Sequence, residues 1–353
     1  MHYVHTEGGA IVPMNRDAWL TQVTVERVVG ISESGGPRAA PAEVDIEIPT
    51  IQVSGTITVG GTTPPDSQYD AGRLVLRTPG SDDEVNLGTT RDGRYAINLV
   101  PGAYELHYRR IEAGAMTPQN GDVVVRTVMF DGATVDVDIP VVNVTGALTV
   151  GGDAPPTMGA DDGTLLLRDP NTGDSVALGS TKAGTYSARI VPTNYVLYYR
   201  QQTSNGGVPA NTNTRLVPLD ASNVTQLDVD VPTAMVRGAI TVDMAAPPAS
   251  EYDDGRLYLK NTETGDTALL GSTRDGSFER LVTPGEYEIR YTLETSTSVM
   301  PINTDAFLAT AVVADSTTVD VDIPTRSLSG EITVDGQVPP TSAYDRGRIM
   351  LRD

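Results

Sequence analysis

Val53-Ser54-Gly55-Thr56-Ile57-Thr58-Val59 decides the fold, because it returns as Val144-Thr145-Gly146-Ala147-Leu148-Thr149-Val150, as Val236-Arg237-Gly238-Ala239-Ile240-Thr241-Val242 and as Leu328-Ser329-Gly330-Glu331-Ile332-Thr333-Val334. Its glycines recur every 91 or 92 residues, and self-similarity at a fixed period overrides any local reading of propensity. Within each stretch apolar and polar residues alternate, the period-2 signature of a half-buried strand.

Working outward, Pro-Pro follows nine residues after each glycine, at 64–65, 155–156, 247–248 and 339–340. Seven residues beyond the second proline stands another glycine, Gly72, Gly163, Gly255 or Gly347, which opens a further apolar run. Leu87 through Tyr95 returns at 178–186 and 270–278, and Val135-Asp136-Val137-Asp138-Ile139-Pro140 returns at 227–232 and 319–324. These blocks divide the chain into complete copies at 50–140, 141–232 and 233–324. Residues 1–49 match the C-terminal half of a copy, with Pro13-Met14-Asn15 aligned to Pro118-Gln119-Asn120, and 325–353 match an N-terminal third.

In the first complete copy, strands are expected near 52–59, 73–77, 84–89, 94–99, 103–110, 122–129 and 134–139. Tyr95, Ile97 and Leu99 face inward, as do Tyr104, Leu106 and Tyr108, while Asp136 and Asp138 face out. Asp92-Gly93 and Pro101-Gly102 supply the backbone angles of tight connections. The tyrosines after Pro-Gly read as core aromatics, with hydroxyl-bonded corner residues as the alternative. The fold class expected is all-β: a tandem array of seven-stranded, Ig-like or prealbumin-like antiparallel β-sandwiches, with short proline-bearing linkers that stiffen it into a rod.

Composition narrows the partners. Forty-six acidic against 25 basic side chains give a formal charge of -21, which repels nucleic-acid phosphates and anionic lipid. No stretch approaches the roughly 20 apolar residues of a transmembrane helix, so no membrane insertion is expected within this segment. Without cysteine there are no disulfides, thiolate metal sites or cysteine nucleophile.

The histidines are His2, His5 and His107, and none recurs in the other complete copies, so no catalytic constellation is expected and the chain reads as a non-enzyme. His2 and His107 read as tolerated surface or edge residues. No cofactor is expected. Asp70, Asp161, Asp162, Asp253, Asp254 and Asp345 cluster before the second strand of each copy and are the candidates for Ca²⁺, although they lack the alternate-residue spacing of a dedicated calcium loop.

Thr90-Arg91-Asp92-Gly93-Arg94-Tyr95 followed by Leu99-Val100-Pro101-Gly102-Ala103-Tyr104 resembles the core motif of prealbumin-like sandwiches, the carboxypeptidase regulatory-like and Cna-B-type domains of bacterial surface proteins. The resemblance covers each complete copy and implies an extracellular or cell-surface location. Some Cna-B domains carry a Lys-Asn isopeptide crosslink; here Lys182 and Lys260 stand where other copies have arginine, so no crosslink is expected.

Uniform repetition without a site points to a structural region of a stalk, fibre or surface filament, partnered by copies of itself or neighbouring surface proteins. Two alternatives remain open. One is an adhesin or glycan-binding array in which loops 110–120, 201–213 and 292–304 present ligand contacts. The other is the spacer of a large secreted enzyme.

Overall fold

A computed structural model describes residues 1–6, 11–22, 45–339 apart from 82, 113, 133, 158, 297 and 298, and residues 349–350. Near the N-terminus two short strands, β1 (His2–Tyr3) and β2 (Ala18–Trp19), pair antiparallel.

The first complete copy contributes β3 (Ile51–Val59), β4 (Ala71–Arg77), β5 (Glu84–Thr89), β6 (Arg94–Leu99), β7 (Gly102–Glu112), β8 (Val123–Phe130) and β9 (Val137–Ile139). They form one sheet in the order β5-β4-β7-β8 and a second in the order β6-β3-β9. The second copy repeats this with β10 (Val142–Val150), β11 (Asp162–Arg168), β12 (Ser175–Ser180), β13 (Thr185–Ile190), β14 (Asn194–Thr203), β15 (Thr214–Asp220) and β16 (Val229–Val231), in sheets β12-β11-β14-β15 and β13-β10-β16. The third has β17 (Ala234–Val242), β18 (Asp254–Asn261), β19 (Thr267–Ser272), β20 (Ser277–Val282), β21 (Gly285–Thr295) and β22 (Ala306–Val313). There the last strand is split into β23 (Ser316–Thr318) and β24 (Val321–Ile323), both on β17.

Period-2 alternation fixes which face each strand buries. On β7, Tyr104, Leu106 and Tyr108 are buried and meet Leu74 and Leu76 of β4 in one interior. Three separate apolar clusters result, one per copy. Single residues cross between neighbours: Val191 joins the first cluster and Ala210 the third.

The closing block departs from the antiparallel expectation. β9, β16 and β24 each run parallel to the first strand of their copy, which returns the chain to the end of the sandwich where the next copy begins. The strand also starts later than its alternation suggests. Val135 is drawn out of the ladder: its N–H donates to the Ser54 carbonyl at 2.9 Å and its own carbonyl accepts the Tyr95 hydroxyl at 2.5 Å. A Cβ on Gly55 would lie 2.0 Å from that carbonyl, and equivalent closeness holds at Gly146 and Gly238. The recurring first glycine is therefore a steric requirement. Asp136 and Asp138, outward as expected, finish the pairing, with Asp136 accepting from the Thr56 N–H at 2.8 Å and Asp138 from the Thr58 hydroxyl at 2.7 Å and the Gly61 N–H at 2.8 Å.

The second recurring glycine has a parallel cause. A Cβ on Gly72, Gly163 or Gly255 would fall within 2.3 Å of the ring of Tyr108, Tyr199 or Tyr291. These rings pack directly against bare backbone and send their hydroxyls onward. Among the described residues no helix is long and apolar enough to cross a membrane.

Candidate functional site: the junction between copies

The loop after the fifth strand of each copy ends in Pro-x-Asn: Pro13-Met14-Asn15, Pro118-Gln119-Asn120, Pro209-Ala210-Asn211 and Pro301-Ile302-Asn303. Its own copy holds this tripeptide rigidly. The packed tyrosine donates its hydroxyl to the proline carbonyl, Tyr108 to Pro118 at 2.8 Å, Tyr199 to Pro209 at 2.8 Å and Tyr3 to Pro13 at 2.9 Å. The asparagine carbonyl accepts a fifth-strand N–H, from Arg110 to Asn120 and from Gln201 to Asn211, both at 2.8 Å.

The side chain of that asparagine then enters the following copy. Asn15, Asn120 and Asn211 are each fully buried. Asn15 Nδ2 donates to Asp83 Oδ2 at 2.5 Å and to the Tyr104 hydroxyl at 3.0 Å, while its Oδ1 accepts the Val100 N–H at 2.8 Å. Asn120 repeats the pattern with Asp174 at 3.2 Å, Tyr195 at 2.9 Å and the Val191 N–H at 2.9 Å. So does Asn211, with Asp266 at 2.8 Å, Tyr287 at 3.2 Å and the Thr283 N–H at 2.8 Å. A carboxylate, a tyrosine hydroxyl oxygen and a backbone N–H together demand one group that donates twice and accepts once, and a primary amide does this.

The receiving carboxylate also gathers backbone donors. Asp83 Oδ1 takes the N–H groups of Arg16 and Asp17 at 2.7 and 2.9 Å, Asp174 that of Gly121, and Asp266 those of Thr212 and Asn213. One further bond extends a strand across the boundary: Met14, Gln119 and Ala210 donate N–H to Asn98, Arg189 and Leu281 of the next copy, at 2.9, 2.8 and 2.8 Å. The bonds to the three carboxylates are charge-assisted and about twice as strong as neutral ones, and none of the junction's bonds can be left unmade in a dry site without cost.

The tyrosines three residues after the proline, behind Pro-Gly in the first and third copies and Pro192-Thr193 in the second, are corner residues as well as core aromatics. Tyr104, Tyr195 and Tyr287 donate to the carbonyls of Val100, Val191 and Thr283 at 2.6, 2.7 and 2.7 Å. Burial pushes all three hydroxyls above their usual range, so they stay protonated donors.

The five described calcium candidates lie in the three complete copies, and each bonds within its own copy. Asp70 is buried and accepts the N–H groups of Met116 and Thr117, both at 2.8 Å, and the Thr117 hydroxyl, which shapes the loop leading to Asn120. Burial would raise its pKa, but the bonds from Thr117, Met116 and Gly114 outweigh it and hold the carboxyl below its ordinary value. Asp161 does the same for Asn205 and Gly207 at 2.6 and 2.9 Å. Asp162 and Asp254 turn the other way, to Ser180 at 2.5 Å and Ser272 at 2.6 Å, and Arg274 Nε approaches Asp254 at 3.2 Å. Asp253 accepts the Ser296 hydroxyl at 3.4 Å. Asp345 lies outside the described residues. No group of three or more His, Cys, Asp or Glu suited to a metal occurs among the described residues.

His107 is not the open surface residue its sequence position suggests. It lies 3 % exposed on the outer face of its sheet, with Nδ1 2.9 Å from Asp122 Oδ1, and Asp122 also pairs with Arg77 and Arg109. Of the loops read as ligand-presenting, the stretches 118–120 and 209–211 are largely enclosed at the junctions, while 205–207 and 302–304 are exposed. The recurrence of Pro-x-Asn and of an aspartate eleven residues after the second glycine, Asp83, Asp174 and Asp266, was the available signal for the junction.

No family model matches the sequence, and no curated protein does. Among solved structures, the chain is similar to the Bacillus anthracis TIE protein at 11 % identity over 79 % of this chain and 51 % of that one, with a TM-score of 0.22, so it spans about half that protein's length. It is also similar to a streptococcal ancillary pilin, at 9 % identity over 78 % of this chain and 100 % of that one, TM-score 0.23. BcpA, the major pilin subunit of Bacillus cereus, shows 12 % identity over 78 % of this chain and 99 % of that one, with a TM-score of 0.17.

Proposed function

We propose that the chain is a non-catalytic structural region of a cell-surface stalk, fibre or filament, whose task is to hold what lies at its ends at a set distance. The observation that carries this reading is the junction: the same buried Asn-Asp-Tyr contact occurs three times, so each complete copy is clamped to the segment before it by bonds that a free hinge would lack. Placement outside the cell rests on the sequence resemblance to surface-protein repeats. The anionic composition keeps such an array soluble and apart from nucleic acid.

Negative-stain imaging of the chain, and of a variant lacking residues 141–232, tests it. Elongated particles that shorten by one copy's length on deletion are expected. Compact round particles in both would contradict a spacing role.

A further inference from the structure

Four Pro-x-Asn segments end the loop after a fifth strand, and three of them are seated in a following copy. The fourth, Pro301-Ile302-Asn303, is already built for the same purpose. The Tyr291 hydroxyl donates to the Pro301 carbonyl at 2.9 Å, and the Leu293 N–H donates to the Asn303 carbonyl at 2.8 Å. These are the two bonds that hold Pro118 and Asn120, and Pro209 and Asn211, in position. The outer side is where it differs. Ile302 is 81 % exposed, whereas its counterpart Ala210 is 5 % exposed, and Asn303 is exposed where Asn15, Asn120 and Asn211 are fully buried. A tripeptide held rigid by its own sandwich, with its central isoleucine and its asparagine standing in water, is preorganised for a contact it does not make here.

We infer that the Pro301–Asn303 end of the third complete copy is an open docking face, and that its occupant is another copy of the same build. The chemistry of that occupant follows from the three seated cases. It offers a carboxylate eleven residues after its second glycine, a corner tyrosine hydroxyl, a backbone N–H for the amide oxygen and a strand-end carbonyl for the Ile302 N–H. Asn303 supplies the two donors and one acceptor such a socket requires. This inference rests on the junction reading above and extends it to a face with no partner among the described residues.

A second copy of residues 141–232, inserted between Pro324 and Thr325 of the full chain, provides the socket behind the same Pro-Val linkage that joins Pro140 to Val141. Amide hydrogen exchange of Ile302 is the readout, because docking turns its N–H into the equivalent of the Gln119 and Ala210 donors. The Ile302 amide is expected to exchange at least ~10-fold more slowly in the extended chain, and Asn303→Ala should return it to the rate of the original. Residues 50–140, inserted independently, guard against one insert failing to fold. Unchanged Ile302 exchange with both inserts, while Gln119 and Ala210 stay protected, would overturn this inference alone. Free exchange at Gln119 and Ala210 would instead remove the junction reading on which it stands.

Discussion

At the residue scale, the account turns on asparagines that satisfy a neighbour's buried groups. Asn120→Ala leaves the Val191 N–H without its acceptor in a dry site, while the Tyr195 hydroxyl keeps its bond to the Val191 carbonyl. A buried group left unpaired costs about 1–3 kcal/mol, so chemical denaturation should show the second copy destabilised by that order while Asn303→Ala is nearly silent. Asp70 gives a second expectation, with a definite sign. Its folded pKa lies below the ordinary 3.8, so the folded state binds fewer protons than the unfolded one. Its stabilising share is therefore full above the unfolded value and is lost as pH falls through the folded one. Melting temperatures followed from about pH 6 to about pH 2 should fall; Asp70→Asn should begin lower and fall less steeply.

At the element scale, most of the fold was legible, because strands with a buried and a wet face must alternate and the copies repeat that alternation in register. The glycines announced themselves by recurrence, though their reasons, the Val135 carbonyl over Gly55 and the Tyr108 ring over Gly72, needed coordinates. The parallel closing strand was hidden because alternation in Val137-Asp138-Ile139 is the same whichever way its partner runs. The junction was hidden for a different reason: Asn120 acts in the next copy, inside a loop whose other residues vary, so comparing copies position by position gives it no partner.

The turn after the first strand also varies in an instructive way. Gly61 and Gly152 adopt φ of 73° and 82°, but the third copy places Met244 at 65°. A non-glycine side chain in the left-handed region costs about 1–2 kcal/mol, and glycine's extra freedom in the unfolded chain returns part of that. Met244→Gly should raise the stability of the third copy by roughly 0.5–1 kcal/mol in equilibrium denaturation. The acidic loops lead to a further expectation. Asp70 and Asp161 already spend their oxygens on backbone N–H groups, so thermal melts with a chelator and with added Ca²⁺ should coincide; a Ca²⁺-dependent rise would reopen a cation role for these loops.

At the scale of the whole molecule, three separate interiors are joined by contacts that leave little slack. Linkers this short, clamped on one side by a buried amide and flanked by Pro140 or Pro232, make the copies move together. Small-angle X-ray scattering measures the consequence directly. With each copy adding about 35–40 Å, three in line should give a radius of gyration of roughly 35 Å, and pairing Asn120→Ala with Asn211→Ala should broaden the distance distribution. A value near the roughly 20 Å of a single 353-residue globule, unmoved by those substitutions, would contradict the account.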